Sequence, residues 1–554
     1  MRAMRKYAIL ALLLVLLGCG SGQDQPFSTF APAPPTDAEI IQQAMVADAD
    51  TALKLVPGDH LDPIPLPVAP KGTPMTISVQ DLETAYEILF CHLSQKLGVT
   101  TSTPQVVDDI AFIKSQPQTG NFDLNAQPIS NNPLGVTGVS FQPVSYQTTV
   151  PLPAGPETFQ VSGGLLMPQG ISASQVKGVI VYFHGTTFNK EQVGSEYADN
   201  NETQLTAQVW GSQGYIVLIP DYVGQGDDWQ NVHPYVLYPR VSAQTAVDML
   251  AAVQPTIVDE YNFAPDAPPL KLFSAGYSEG GAYSLWFNIY LSENPGLLDP
   301  FYQLTHSVGM EGAYNTSSIT YGYLFDDVDA SGSNPYNVQS QTLVNMVKPI
   351  LSADAFLSYA TYSVGSNFLS IFNADFFAMQ ATFPVLQDLC NVNGQQVNIA
   401  QAFALPDTTI ATEVLASGLG KTGNGASYPG PIEVAFTSKN SIDPLVSSNL
   451  LTPEAQAELQ QVLLAADVDL TAVADQGVSI ITLAQDSVVV SNNFDFLLAS
   501  YPGKIKNAIK IDQSQIQVLS VFSEKLGYAY FVPVDHLGGP IYEFLYALNI
   551  FNSF

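Results

Sequence analysis

The sequence predicts an α/β fold with a mostly parallel central sheet, helices on both faces, and a large helical cap inserted before one of the last strands. Three observations carry that expectation. From about Val144 onward, short β-branched and apolar runs alternate with helical stretches, and such alternation implies parallel strands joined by crossover helices. Between the apolar run Leu270 to Ala275 and the apolar helical stretch Ala282 to Leu291 stands a glycine-rich turn, Gly276-Tyr-Ser278-Glu-Gly280. From about residue 314 to residue 475 the alternation gives way to aromatic-rich helical segments, such as Leu351 to Phe383 and Pro453 to Ala466, and it resumes at Val478 to Gln485.

Taken in order, the chain begins with a basic start and about ten apolar residues, Ala8 to Leu17, followed by Gly18 and Cys19. The run is too short for a retained membrane span and reads as a signal peptide. Leu16-Leu17-Gly18-Cys19 resembles the bacterial lipobox, which implies a signal over 1–19 and acylation of Cys19 as a membrane anchor. Gly20 and Ser21 follow in place of the aspartate that resembles an inner-membrane retention signal, so the expected location is the outer membrane, with the domain in the periplasm or at the cell surface. Residues 20–36 are rich in Pro, Ser and Gly and read as an extended tether. Residues 37–135 form an N-terminal segment in which Val79 to Leu97 has the spacing of an amphipathic helix; no chemistry is legible in it.

The main domain is expected over 136–554. Ser145 to Val150 and Thr158 to Met167 read as a hairpin. Val176 to Phe183 and Gly214 to Tyr222 read as buried parallel strands, because continuous apolar runs suit strands covered on both faces. A helix from Val241 to Val253 follows, then the strand before Gly276, a strand near Leu304 to Gly309, the cap at about 314–475, a strand at Val478, and a last strand, Ala529 to Val534, that ends at Asp535-His536.

Composition narrows the function classes. The formal net charge is −32, and three of the eighteen basic residues precede Cys19, so the remainder is more negative still. A field of that sign repels phosphate, which argues against a nucleic-acid partner. Only Cys91 and Cys390 remain besides Cys19; a bridge between them and two independent buried thiols are both compatible with the sequence. Gly418-Leu-Gly-Lys-Thr-Gly423 imitates a phosphate loop, but Leu415 stands where that loop requires glycine and no buried strand precedes it. No spaced Cys/His cluster or Asp-rich loop calls for zinc or calcium, and no cofactor is expected.

The chemistry is concentrated in the turn around Ser278. A serine hydroxyl is a poor nucleophile at neutral pH, so it needs a strained strand-to-helix presentation, a base, and donors for the developing oxyanion. Gly276 and Gly280 remove the side chains that would collide around such a turn. Of the six histidines, at 60, 92, 184, 233, 306 and 536, only His536 lies late in the chain beside a glycine-rich loop, and it is the expected base. His233 and His306 read as structural. Two aspartates compete as the third member: Asp486, after the run Val478 to Leu483, and Asp443, after the strand-like Ile432 to Phe436. Asp486 is favoured because it sits closer to the histidine in the order Ser, acid, His. His184-Gly185 closes the strand Val176 to Phe183, and an N–H of Gly185 or Thr186 is expected to join that of Glu279 as oxyanion donors, with His184 orienting the loop.

From residue 144 onward, Tyr182-Phe-His-Gly-Thr186, Gly214 to Gly226, His233-Pro-Tyr235, Gly276-Tyr-Ser-Glu-Gly-Gly281 and Gly312-Ala-Tyr-Asn315 give the chain a resemblance to the α/β-hydrolase superfamily, and within it to bacterial lipoprotein esterases similar to secretory lipases. That resemblance implies hydrolysis of carboxylic esters of an apolar acyl group through an acyl-enzyme, on small-molecule or lipid esters, without metal or organic cofactor. The rival expectations are a peptidase or acyltransferase on the same scaffold, and a surface lipoprotein that binds through an inactive hydrolase fold.

Overall fold

A computed structural model describes residues 75–78 and, with interruptions, 134–554; most of 326–452 lies outside the described residues. Cys19, Cys91, Cys390, Asp443, the segment expected as a helix after Ser78, and the Gly418 to Gly423 turn therefore fall outside what is described.

The central sheet has nine strands. They are β1 (Met75–Ser78), β2 (Gly138–Leu152), β3 (Gly155–Gln169), β4 (Gly178–Phe183), β5 (Tyr215–Pro220), β6 (Leu270–Tyr277), β7 (Tyr302–Met310), β8 (Val478–Leu483) and β9 (Ile505–Ile511). Their order is β1-β2-β3-β5-β4-β6-β7-β8-β9. The first three run antiparallel to their neighbours, and β4 through β9 are parallel to one another. Met75–Ser78, expected to belong to a separate N-terminal segment, supplies the edge strand beside β2.

The expected hairpin is present and longer, with Leu152 opposite Gly155. Along β2 the residues Tyr146, Thr148 and Val150 are buried while Gln147 and Thr149 are exposed, the period-two pattern of a strand with one face in the core. The strand β4 is different: all six of its residues are buried, and alternate ones enter different cores. Val179, Val181 and Phe183 pack with α2 (Pro239–Tyr261) and α3 (Glu279–Glu293). Ile180 and Tyr182 pack on the other face with α1 (Asn201–Val209) and the final helix. Two covered faces explain why the sequence there reads as an unbroken apolar run.

Between β7 and β8 lies the helical insertion expected as the cap. Its described parts include α4 (Pro453–Ala465) and the turns around Tyr321–Phe325 and Ala360–Val364. Tyr323, Leu324, Leu351, Tyr359, Leu459 and Leu463 join one apolar cluster with Tyr235 to Tyr238, Val488 and Val490, so the insertion packs over the loops that leave the carboxyl ends of β5 and β8. The Tyr323 hydroxyl donates to the Ser487 carbonyl at 2.7 Å, and that of Tyr362 donates to the Val232 carbonyl.

The strand expected before His536 is present but lies outside the main sheet. The last strand of the sheet is β9, which follows α5 (Asn492–Ser500). The run before His536 instead forms β11 (Tyr528–Val532), which pairs with β10 (Leu519–Ser523) in a two-stranded sheet separate from the main one. After His536 the chain closes with α6 (Gly539–Asn552), whose Phe544, Leu548 and Phe551 pack against Trp210 of the α1 end and Phe273 of β6.

Candidate active site

Ser278 occupies the sharp turn between β6 and α3, with φ 57° and ψ −118°. A non-glycine residue held at positive φ is strained, and such strain persists only where the surroundings dictate it. Here the Ser278 N–H donates to the Met310 carbonyl at 2.9 Å, and the Ser278 carbonyl accepts from the Gly281 N–H at 2.9 Å. The flanking glycines are required by contact. A Cβ on Gly276 would lie 1.9 Å from the Gly280 carbonyl oxygen, and one on Gly280 would lie 1.9 Å from that of Phe183. Helix α3 can therefore begin directly against the ends of β4 and β6.

His536 Nε2 is 2.9 Å from Ser278 Oγ, and its Nδ1 is 2.7 Å from Asp486 Oδ2. The other oxygen, Oδ1 of Asp486, accepts the N–H groups of Val488 and Val489, each at 2.7 Å. An ionised carboxylate only accepts, so Nδ1 carries the imidazole proton and Nε2 presents its lone pair to the serine hydroxyl. That arrangement is able to take the hydroxyl proton. All three side chains are buried, and Asp486 is completely so. The loop carrying His536 is tied to the elbow strand by the Tyr277 hydroxyl, which donates to the His536 carbonyl at 2.6 Å.

The loop after β4 passes beside the serine: a Cβ on Gly185 would stand 3.5 Å from Ser278 Cβ. The two N–H groups considered for it differ in availability. That of Gly185 donates to Glu202 Oε2 on α1 at 2.9 Å, next to the Tyr182 hydroxyl at 2.5 Å on the same oxygen. Gly185 is thus committed elsewhere, and Thr186 is left as the candidate on this loop. Burial raises the Glu202 pKa, opposed by the donors from Tyr182 and Gly185. His184 stacks on Tyr222 with ring centroids 4.1 Å apart, and Tyr222 donates to the His184 carbonyl at 2.7 Å. Burial lowers the His184 pKa to about 4, so the ring is neutral and acts on the loop through shape and hydrogen bonding.

On the other side, Glu279 begins α3 directly after the serine, and its side chain is buried. It meets His233 Nε2 at 2.5 Å, the Tyr283 hydroxyl at 2.8 Å and Thr186 Oγ1 at 3.2 Å. Residue-type reasoning missed this cluster, although His233-Pro-Tyr235 stood out as a motif. It also missed Glu202, a single acid in a polar helix with no local signal, and a pair of buried acids behind Asp486. Glu311 of that pair has φ 49° and accepts from the Thr482 hydroxyl at 2.8 Å and from the Leu483 N–H. Burial, with mutual repulsion adding to it at Glu311, raises the pKa of Glu311 and of its neighbour Glu543, and the charge of Asp486 adds to both. His306 lies on β7 with Nε2 2.7 Å from Ser479 Oγ, apart from the serine.

Among the described residues no group of three or more His, Cys, Asp or Glu side chains is placed to hold a metal ion. No protein-family profile matches the chain, and no curated protein matches it. Among solved structures, the chain is similar to a putative hydrolase from Legionella pneumophila, at 16% identity over 87% of this chain and 97% of that one, with a TM-score of 0.51. It is also similar to the rice cell wall degrading esterase LipA from Xanthomonas oryzae, at 18% identity over 68% and 82% of the two chains, TM-score 0.47. Candida antarctica lipase A aligns at 13% identity over 74% and 75%, TM-score 0.41. With its mostly parallel sheet, the helical insertion before β8, and the likeness to the Legionella structure, the chain has the α/β-hydrolase fold.

Proposed function

We propose that the protein is a serine esterase that cleaves carboxylic esters of an apolar acyl group through an acyl-enzyme intermediate. One observation carries the reading: an unbroken series of hydrogen bonds runs from the Val488 and Val489 N–H groups through Asp486 and His536 to Ser278, on an elbow with positive φ. In the first half-reaction Ser278 Oγ attacks the ester carbonyl while His536 Nε2 takes its proton, and the oxyanion is received by the N–H groups of Glu279 and Thr186. Collapse breaks the bond to the alcohol, which leaves with the proton from His536. Water then repeats the sequence on the acyl-enzyme, regenerating the serine and releasing the acid. Asp486 holds the imidazole tautomer throughout. The preference for an apolar acyl group is supported by the aromatic and aliphatic side chains of the insertion that pack over Tyr235 to Tyr238 and Val488.

The test is hydrolysis of p-nitrophenyl esters from acetate to palmitate, alongside a peptide amide and an alternative acyl acceptor. Ser278→Ala is expected to lower ester turnover by roughly 10⁶-fold. Retained turnover in a folded Ser278→Ala protein would end the proposal, and a preference for the amide or for acyl transfer would redirect it. The same proposal attaches the domain to the outer membrane through acylated Cys19, supported by the Leu16 to Cys19 pattern. Cys19→Ser should then release the protein from membrane fractions; equal detergent partitioning of mutant and wild type would contradict the anchor.

A further inference from the structure

We propose that the partly exposed His233 and the buried Glu279 form an imidazolium–carboxylate pair that positions Thr186, and with it the oxyanion-binding backbone beside Ser278. The inference rests on the esterase reading and assigns His233 a positioning role in that reaction.

The proton inventory supports it. His233 Nδ1 is 3.0 Å from the Val223 carbonyl, which only accepts, so Nδ1 carries a proton. The Tyr283 oxygen receives the Val236 N–H at 2.8 Å and has two acceptors in reach, Glu279 Oε1 at 2.8 Å and the Pro234 carbonyl at 3.5 Å. Its proton therefore goes to Glu279. Thr186 Oγ1 reaches Glu279 Oε2 at 3.2 Å and the Tyr235 hydroxyl at 3.0 Å. If the threonine donates to the glutamate, the tyrosine must donate to the threonine, and the chain Tyr235 to Thr186 to Glu279 is consistently directed. A carboxyl group that receives two hydroxyl protons is best satisfied as the carboxylate. The remaining contact, His233 Nε2 to Glu279 Oε1 at 2.5 Å, then requires a proton on Nε2, and the ring is cationic.

The surroundings fix this pair in place. The His233 ring stacks on Tyr222, with centroids 5.1 Å apart and planes 9° from parallel, and Tyr222 also stacks on His184. Glu279 thus has two functions on one residue. Its N–H lies directly after the nucleophile, while its side chain grips the hydroxyl of Thr186, the other candidate donor. The carboxylate holds the two donors in one fixed relation, and His233 supplies the charge that lets a carboxylate stay buried there.

The test compares wild type, His233→Gln, Thr186→Val, Thr186→Ser and the double variant His233→Gln/Thr186→Val. Thermal stability, kcat and KM on a p-nitrophenyl ester, and affinity for a trifluoromethyl ketone that forms a tetrahedral adduct are measured for each. The expected result is a loss of about 10- to 100-fold in kcat and a similar loss in trifluoromethyl ketone affinity for His233→Gln and Thr186→Val, with KM nearly unchanged. Thr186→Ser keeps the hydroxyl and should recover most of the kcat and ketone affinity that Thr186→Val loses, and the double variant should be little worse than either single one. Full kcat and full ketone affinity in folded His233→Gln and Thr186→Val would overturn the inference, as would losses that merely track the unfolded fraction. A wild-type protein that neither turns over esters nor reacts with a fluorophosphonate would overturn the esterase reading first, and this inference with it.

Discussion

Ser278 is held in a backbone conformation that serine adopts only when its neighbours leave no alternative, and Gly276 and Gly280 are the neighbours that make it possible. At this scale the sharpest expectation concerns the acid. Asp486 Oδ2 faces His536 Nδ1 while Oδ1 is saturated by two backbone N–H groups. Asp486→Asn would present an amide donor or a misplaced acceptor to Nδ1 and favour the wrong tautomer, so turnover should fall by about 10⁴-fold with little loss of fold. Asp443→Asn should be nearly silent in the same assay; if the effects were reversed, the role given to Asp486 would be wrong. Ser278, His536 and Asp486 were legible in the sequence for separate reasons: a spaced glycine pair, elimination among six histidines, and the chain order Ser, acid, His. The capture of the Gly185 N–H by Glu202 was not legible, because it joins residues 17 apart through the packing of α1 on the sheet, and no local pattern marks it.

At the scale of elements, parallel strands covered on both faces announced themselves as apolar runs, whereas β9 did not. Its sequence Ile505-Lys-Asn-Ala-Ile-Lys-Ile511 carries two lysines, which suits a sheet edge, where charge discourages pairing with another chain, but masks the strand. The run before His536 was misplaced for the opposite reason. A two-stranded hairpin and a sheet strand share the same alternation, and only tertiary pairing separates them. The join of β7 and β8 also carries a pH effect. Burial, reinforced by the charge of Lys506, lowers the His306 pKa to about 3. The folded state keeps this ring neutral, while the unfolded chain binds a proton near pH 6.5, so its contribution is full above that pH and is lost as pH falls. Glu311 and Glu543, with raised pKa values, act in the opposite sense over the same range, so the wild-type slope alone is not diagnostic. The difference is. Between pH 6.5 and 5, His306→Gln should gain about 1.7 kcal/mol of stability relative to wild type in total, measured by denaturant unfolding. A difference that stays constant with pH would mean that His306 is not held neutral.

For the molecule as a whole, a strongly acidic chain with a mostly parallel sheet brings Ser278, Asp486 and His536 together where the turn after β6 meets the loops after β4 and β8, and the insertion between β7 and β8 packs on the loops after β5 and β8. The existence of that insertion was visible in the sequence as an interval of aromatic helical pattern; its internal arrangement was not, since amphipathic spacing says which face is apolar and not what covers it. The central claim is that Ser278, activated by His536 and Asp486, is the nucleophile. The most direct measurement is peptide mass mapping after incubation of the purified protein with a fluorophosphonate, in wild type and His536→Ala. The expected result is a single stoichiometric phosphonyl adduct on the peptide containing Ser278, formed at least about 10³-fold more slowly without His536. An unmodified Ser278, or labelling that proceeds equally fast in both proteins, would contradict it.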